Sequence, residues 1–269
     1  MNSGKLKLTF GIGMTLVLVG AATSPALADD ATNSVLSPDR IFKKVAESYA
    51  SLTSYRDQGE IITTADGATR TMIFDTRLAR PNFYRIEWLP ARDPSYSTRD
   101  TTIQAVWSSG AGDFWEVGYG PKSGGSPEIA LDATSAFSGG ASTTVPMTFF
   151  NLSLGSALDD SVFDEDQQPD ETVGTVDCYV FTKESQGKTT TLWIGRQDFL
   201  IHQVRTVISA AAMQATVAQI PNEKHQMAAF LHDVTATEIH ANIVTNTPFS
   251  KSDFIPGIPH YAPADDDDN

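Results

Sequence analysis

The chain has 269 residues, 33 of them acidic against 19 basic, and its formal charge of −14 repels phosphate backbones and anionic bilayer surfaces. That balance counts against nucleic-acid binding and against electrostatic docking to a membrane. A single cysteine, Cys178, cannot close an internal disulfide, so the fold must be held by a hydrophobic core.

The first residues read as an export signal. Lys5 and Lys7 form a basic start, and Leu8 to Ala22 supply an apolar core too short for a membrane span. Ala26-Leu27-Ala28 is a small-x-small cleavage site, so residues 1–28 are expected to be removed after Ala28. The signal takes two lysines and no acid with it, and about 240 residues remain, enough for one large domain. No cysteine stands near the cut to carry a lipid anchor, and no later stretch is long and apolar enough to cross a bilayer. The expected product is an exported, soluble protein with a flexible entry at 29–36, one domain over 37–261 and a solvated acidic tail at 262–269.

Ser37-Pro38-Asp39 supplies an N-cap, a first-turn proline and an early acid. Ile41, Val45, Tyr49 and Leu52 then recur at helical spacing, widened by Phe42, which predicts an amphipathic helix of roughly four turns. Tyr55–Thr64 and Thr69–Leu78 flank an Asp66-Gly67 pair and read as a hairpin. In Asn82–Leu89, Tyr84, Ile86 and Trp88 alternate with Phe83, Arg85 and Glu87, as in a half-buried antiparallel strand. Thr101–Ser108 repeats that design with Ile103, Ala105 and Trp107 inward, and Phe114–Tyr119 does so with Trp115, Val117 and Tyr119.

A Gly/Ser/Pro-rich loop at 120–126 precedes a short helix over Pro127–Phe137, stopped by Ser138-Gly139-Gly140. A second apolar piece, Val145–Leu154, carries Phe149 and Phe150, and an acidic loop is expected at Asp159–Glu171. Three strands follow at Cys178–Thr182, Thr189–Gly195 and Leu200–Ile208, rich in Val, Thr, Ile and aromatic residues and separated by turn material. Residues 209–232 mix helix formers, Ala210–Met213 and Gln226–Leu231, with a Pro221-Asn222 break. A last strand pair is expected over Asp233–Thr245, followed by an extended exit. The sum is a mainly β (α+β) chain whose helical pieces could close one end of a curved antiparallel sheet.

No catalytic constellation stands out. His202, His225, His232, His240 and His260 show no spacing that a zinc helix requires, and Asp164-Glu165-Asp166 lacks the glycine and bidentate acid of a calcium loop. No nucleophile elbow, phosphate-cradling loop or nucleotide fingerprint occurs, and no metal or cofactor is expected. An enzyme would need His202, His232 or His240 to meet an acid and a nucleophile in a cleft. Tyr84, Trp88, Trp107, Trp115 and Tyr119 read either as ordinary core or as the lining of a cavity between sheet and helices.

A helix ending in LTSYRDQGE, the strand RPNFYRIEW, the meander TTLWIGRQDFLIHQVR and the closing NTPFSKSDFIPGIP together resemble the LolA-like superfamily. That superfamily includes periplasmic lipoprotein carriers, their receptor relatives and RseB-type sensor domains, and the chain looks closest to a branch of periplasmic proteins within it. The resemblance covers most of 38–259. It implies an incomplete antiparallel β-barrel with an N-terminal helix and internal lid helices over a hydrophobic cavity that holds acyl chains. Each CH₂ moved out of water gains about 0.8 kcal/mol, so a sixteen-carbon chain is retained by roughly 12 kcal/mol. The expected lining is Tyr84, Ile86, Trp88, Ile103, Trp107, Trp115 and Leu192, with Phe149 and Phe150 in the lid. An arginine closes the lid in the carriers, and Arg56, Arg77 and Arg85 are the candidates for it. The expected function is a non-catalytic carrier for a lipid, lipoprotein or other hydrophobic ligand. The alternative is an envelope regulatory or scaffolding module that binds another protein.

Overall fold

The computed structural model describes residues 36–89, 103–117, 121–152, 167–218 and 232–256. The expected signal peptide, the acidic tail, Tyr119, Asp164-Glu165-Asp166 and the 226–231 helix lie outside them. Among the described residues, no helix is long and apolar enough to cross a membrane.

Among the described residues, eleven antiparallel strands form one open sheet: β1 (Ser54–Ala65), β2 (Ala68–Ala79), β3 (Phe83–Leu89), β4 (Gln104–Ser108), β5 (Asp113–Glu116), β6 (Lys122–Ser123), β7 (Gln167–Val173), β8 (Val176–Ser185), β9 (Lys188–Gly195), β10 (Ile201–Ile208) and β11 (Val234–Thr245). Their order is β6-β5-β4-β3-β2-β1-β11-β10-β9-β8-β7, so two meanders meet where the last strand inserts between β1 and β10. The β1–β2 hairpin closes through Asp66-Gly67, both at positive φ (48° and 80°), a turn whose twist matches that of the strands.

One face of the sheet carries the core. Helix α1 (Pro38–Ser51) buries Ile41, Phe42, Val45 and Tyr49 on it, as its periodicity predicts. Phe42 meets Phe181 of β8 at 4.8 Å, and the Tyr49 hydroxyl accepts the Ile201 N–H at the start of β10. Helices α2 (Pro127–Ala133), α3 (Ser135–Ser138) and α4 (Thr144–Phe150) continue along the chain, with α2 packing against β4 and β5. A nine-residue stretch after β10 forms α5 (Ala210–Ala218). Phe74, Tyr84, Ile86, Trp88, Val106, Phe181, Leu192 and Ile194 supply the sheet's share of the main core.

Several expectations need correction. Asp233–Thr245 is one strand rather than a pair, because β11 hydrogen-bonds to β1 on one side and β10 on the other. Residues 167–171, read as acidic loop, begin edge strand β7, where neither face needs to be apolar. The expected 127–137 helix is two helices, broken at Thr134, whose hydroxyl turns back to the carbonyls of Ala130 and Leu131. Lys122–Ser123, inside the expected loop, pairs with β5, and the exit segment contains a 3-10 turn at Lys251–Phe254.

Candidate functional site

The face of β3 that carries Tyr84, Ile86 and Trp88 is buried as expected, and all three have essentially no exposure. Their polar tips are satisfied: the Tyr84 hydroxyl donates to Asp113 Oδ1 at 2.8 Å, and Trp88 Nε1 donates to Gln104 Oε1 at 2.9 Å. Strand β4 sits one residue out of the expected phase. Ile86 pairs with Val106 and Arg85 with Trp107, so Val106 faces the core while Ile103, Ala105 and Trp107 face the other way. Trp107 stacks on Phe114 in a small outer cluster, and Ile103 is 43% exposed. Trp115, opposite Val106, packs on the main core, as does Leu192.

Seven of the nine expected lining residues therefore share the inner face or its lid, and Ile103 and Trp107 do not. Tyr84, Ile86, Phe149 and Leu192 have no accessible surface at all. Such side chains border no space that a water molecule could occupy, so this part of the inner face is filled by the protein itself.

The filler is α4. Val145, Met147 and Phe149 are fully buried, Phe149 and Phe150 meet edge to face at 4.9 Å, and Phe150 contacts Tyr84. The helix lies between residues in the left-handed conformation, Gly139 and Gly140 before it and Asn151 after it. Arg80, at the end of the β1–β2–β3 ladder, holds it down: Nη2 donates to the Phe149 carbonyl at 2.8 Å and to that of Tyr49, and Nε donates to the Leu52 carbonyl. The guanidinium also lies 4.7 Å over the Phe149 ring. One side chain thus joins the ends of α1 and α4. The candidate arginines Arg56, Arg77 and Arg85 stand instead in one row on the outer face, paired with Asp75 and Glu87.

Beneath the start of α4 lies a cluster that the sequence reading missed. Asp57 of β1 and Glu238 and His240 of β11 all point to the inner face and are buried. His240 Nδ1 is hydrogen-bonded to Asp57 Oδ2, which also accepts from the Tyr55 hydroxyl at 2.9 Å. His240 Nε2 lies 3.1 Å from Glu238 Oε1 but off the line of a hydrogen bond. Glu238 Oε2 accepts from the Thr144 hydroxyl of α4 at 2.7 Å. Gly59, opposite His240, admits the Phe74 ring, which any Cβ there would strike, and Phe74 meets the imidazole edge-on at 5.5 Å. Burial opposes charge on the imidazole, yet the Asp57 carboxylate and its hydrogen bond, with the Glu238 carboxylate beside Nε2, outweigh it and push the His240 pKa up to about 10. The Tyr49 and Tyr55 phenols are pushed up by burial and stay neutral.

His240 therefore meets two acids, but in a sealed interior rather than a cleft, and the nearby Thr144 hydroxyl serves Glu238 rather than the imidazole. His202 meets Asp198, at 3.0 Å. The Cys178 thiol is buried in an outer cluster with Val180 and Trp193, and burial pushes its pKa up to about 11, away from nucleophilic chemistry. Among the described residues no group of His, Cys, Asp and Glu has the arrangement of a metal site.

No protein-family description matches the sequence, and no curated protein does. Solved structures similar to the chain include the Pseudomonas aeruginosa MucA/MucB complex, at 11% identity over 82% of this chain and 61% of that one, with a TM-score of 0.41. LprF from Mycobacterium bovis is similar at 9% identity over 82% and 97%, with a TM-score of 0.43. A LolA superfamily protein from Nitrosomonas europaea, from the group that the sequence resembles, is similar at 11% over 82% and 99%, with a TM-score of 0.32. The chain thus spans less than two thirds of the MucA/MucB chain. Likenesses of this size assign neither ligand nor partner.

Proposed function

We propose that this protein is a non-catalytic periplasmic carrier or binding protein for a hydrophobic ligand, an acyl chain or lipoprotein, taken up on the inner face in place of α4. The observation that carries the reading is α4 itself: a seven-residue apolar plug, set between left-handed residues and tied by few polar bonds, chiefly those from Arg80 and Thr144. Lifting it exposes Val145, Met147 and Phe149, at a cost of roughly 5–9 kcal/mol at 1.5–3 kcal/mol per side chain. A sixteen-carbon chain gains roughly 12 kcal/mol when all of it leaves water, and a chain half covered on the same surface gains about half of that. Exchange of plug for ligand is therefore within reach, and the closed form protects the site in water.

The test is native mass spectrometry of residues 29–269 from a periplasmic extract, with organic extraction of whatever accompanies them. A near-stoichiometric lipid or acylated peptide supports the carrier reading. A bare mass that takes up no added fatty acid or lipopeptide rejects it. A second reading, a module that docks another envelope protein, draws on Ile129 and Phe137, which stand 55% exposed on α2 and α3. It predicts pull-down of a protein, lost in the Ile129→Ser/Phe137→Ser variant, from samples free of lipid.

A further inference from the structure

Among the described residues, four buried side-chain polar atoms lack a hydrogen-bond partner, and three of them, Asp57 Oδ1, Glu238 Oε1 and His240 Nε2, belong to the cluster under α4. Glu238 Oε1 and His240 Nε2 face each other at 3.1 Å as an ion pair, so the position left open is Asp57 Oδ1, and a buried carboxylate oxygen with no donor calls for a physical reason. Packing does not supply it: Glu238 stands in a cross-strand row with Phe181, Leu192, Val204 and Ile61, where a hydrophobe would fit the pattern.

The groups around the cluster define its preference. Two carboxylates share one imidazolium, and the hydroxyls of Tyr55 and Thr144 are the further donors to those acids. The sum is one net negative charge on an otherwise apolar floor. Thr144 belongs to α4, and the preceding turn approaches so closely that a Cβ on Gly140 would lie 3.0 Å from Glu238 Oε2. When α4 lifts, Glu238 loses its donor while Asp57 and His240 remain on the sheet.

We infer that Asp57 and Glu238 form the polar end of the binding face and select amphiphiles whose head group donates N–H hydrogen bonds, a charged amine before a neutral amide. This rests on the carrier reading above and adds the ligand's head chemistry to it. A donor head replaces Thr144 on Glu238 and meets the open oxygen of Asp57. A carboxylate or phosphate head brings a like charge against two buried acids and is disfavoured.

Calorimetric titration of the full mature chain with dodecylamine, dodecanamide, dodecanol and dodecanoate holds the chain length constant and varies only the head. The expected order of affinity is amine, amide, alcohol, carboxylate, with the amine about tenfold or more above the alcohol, as hydrogen bonds to buried charges allow. Glu238→Gln keeps an acceptor for Thr144 and should narrow the amine-over-alcohol ratio several-fold. Thr144→Val leaves both acids in place and should keep the ratio while tightening all four ligands. Equal binding of the four heads, or a preference for dodecanoate, overturns the inference and leaves the carrier reading standing. Binding of none of them overturns both.

Discussion

Strands β3 and β11 flank the β1–β2 pair and send alternate residues to the same inner face. From β3 these are Tyr84, Ile86 and Trp88; from β11 they include Glu238 and His240, while Ile239 turns outward. The alternation is the same and its chemistry is inverted. On β3, stability comes from apolar area removed from water, which any well-packed hydrophobe can supply. On β11 it comes from charges that must be paired or left costly, so β11 is the more sensitive strand and contributes less to the core.

Trp88→Ala should break the β3 side hardest, costing about 3–5 kcal/mol in urea unfolding, as large-to-small core changes do. Asp57→Asn should cost about 1.5–3 kcal/mol for another reason, because it weakens the charge-assisted hydrogen bonds from His240 and Tyr55 while Glu238 stays to balance the imidazolium. The sharper test is Asp57→Leu/Glu238→Met/His240→Phe. If the β11 side is expensive only through its charges, this apolar triple variant unfolds at the same or higher urea concentration than the wild type. A loss as large as that of Asp57→Asn would show that the cluster is a net source of stability.

Protons separate the two sides next. A histidine held at about pH 10 in the fold, against its ordinary 6.5, contributes fully below about pH 6.5 and loses that contribution as the pH climbs through 10. Urea unfolding at about pH 6 and pH 9 should show wild type and Trp88→Ala both weakening, while the apolar triple variant holds steady. Reading below pH 10 avoids the buried phenols of Tyr49 and Tyr55, whose raised pKa values add an alkaline loss of the same sign. The smallest expected effect is that of Thr144→Val, about 1 kcal/mol for one hydrogen bond, seen in hydrogen exchange as faster opening of α4 with the sheet unchanged.

The same inversion explains what could be read in advance. Helix α1, the β1–β2 hairpin, β3 and the β8–β10 meander each carry their burial in their own periodicity, and their core positions were legible. In β4 both phases are partly apolar, Ile103, Ala105 and Trp107 against Val106, so only pairing with Ile86 decides which faces inward. In β11 the local pattern points Glu238 to solvent, and nothing local shows that both neighbours bury it. Arg80 reads as a ladder break before Pro81; its partner Phe149 lies 69 residues away. Long-range partners of single polar side chains leave no periodic trace, and the site depends on several of them, Arg80 with Phe149, Thr144 with Glu238 and Asp57 with His240.

The sheet's two ends carry one more consequence. An open sheet of eleven strands exposes two backbone edges, each a template on which a second chain could polymerise. Here one edge is the two-residue β6, and the other is β7, whose Pro169 lacks a donor and whose register slips between Gln168 and Glu171. Neither can seed a continuous ladder. An open sheet with such edges is protected from growing into fibres, and a visiting chain has to engage it through side chains rather than backbone.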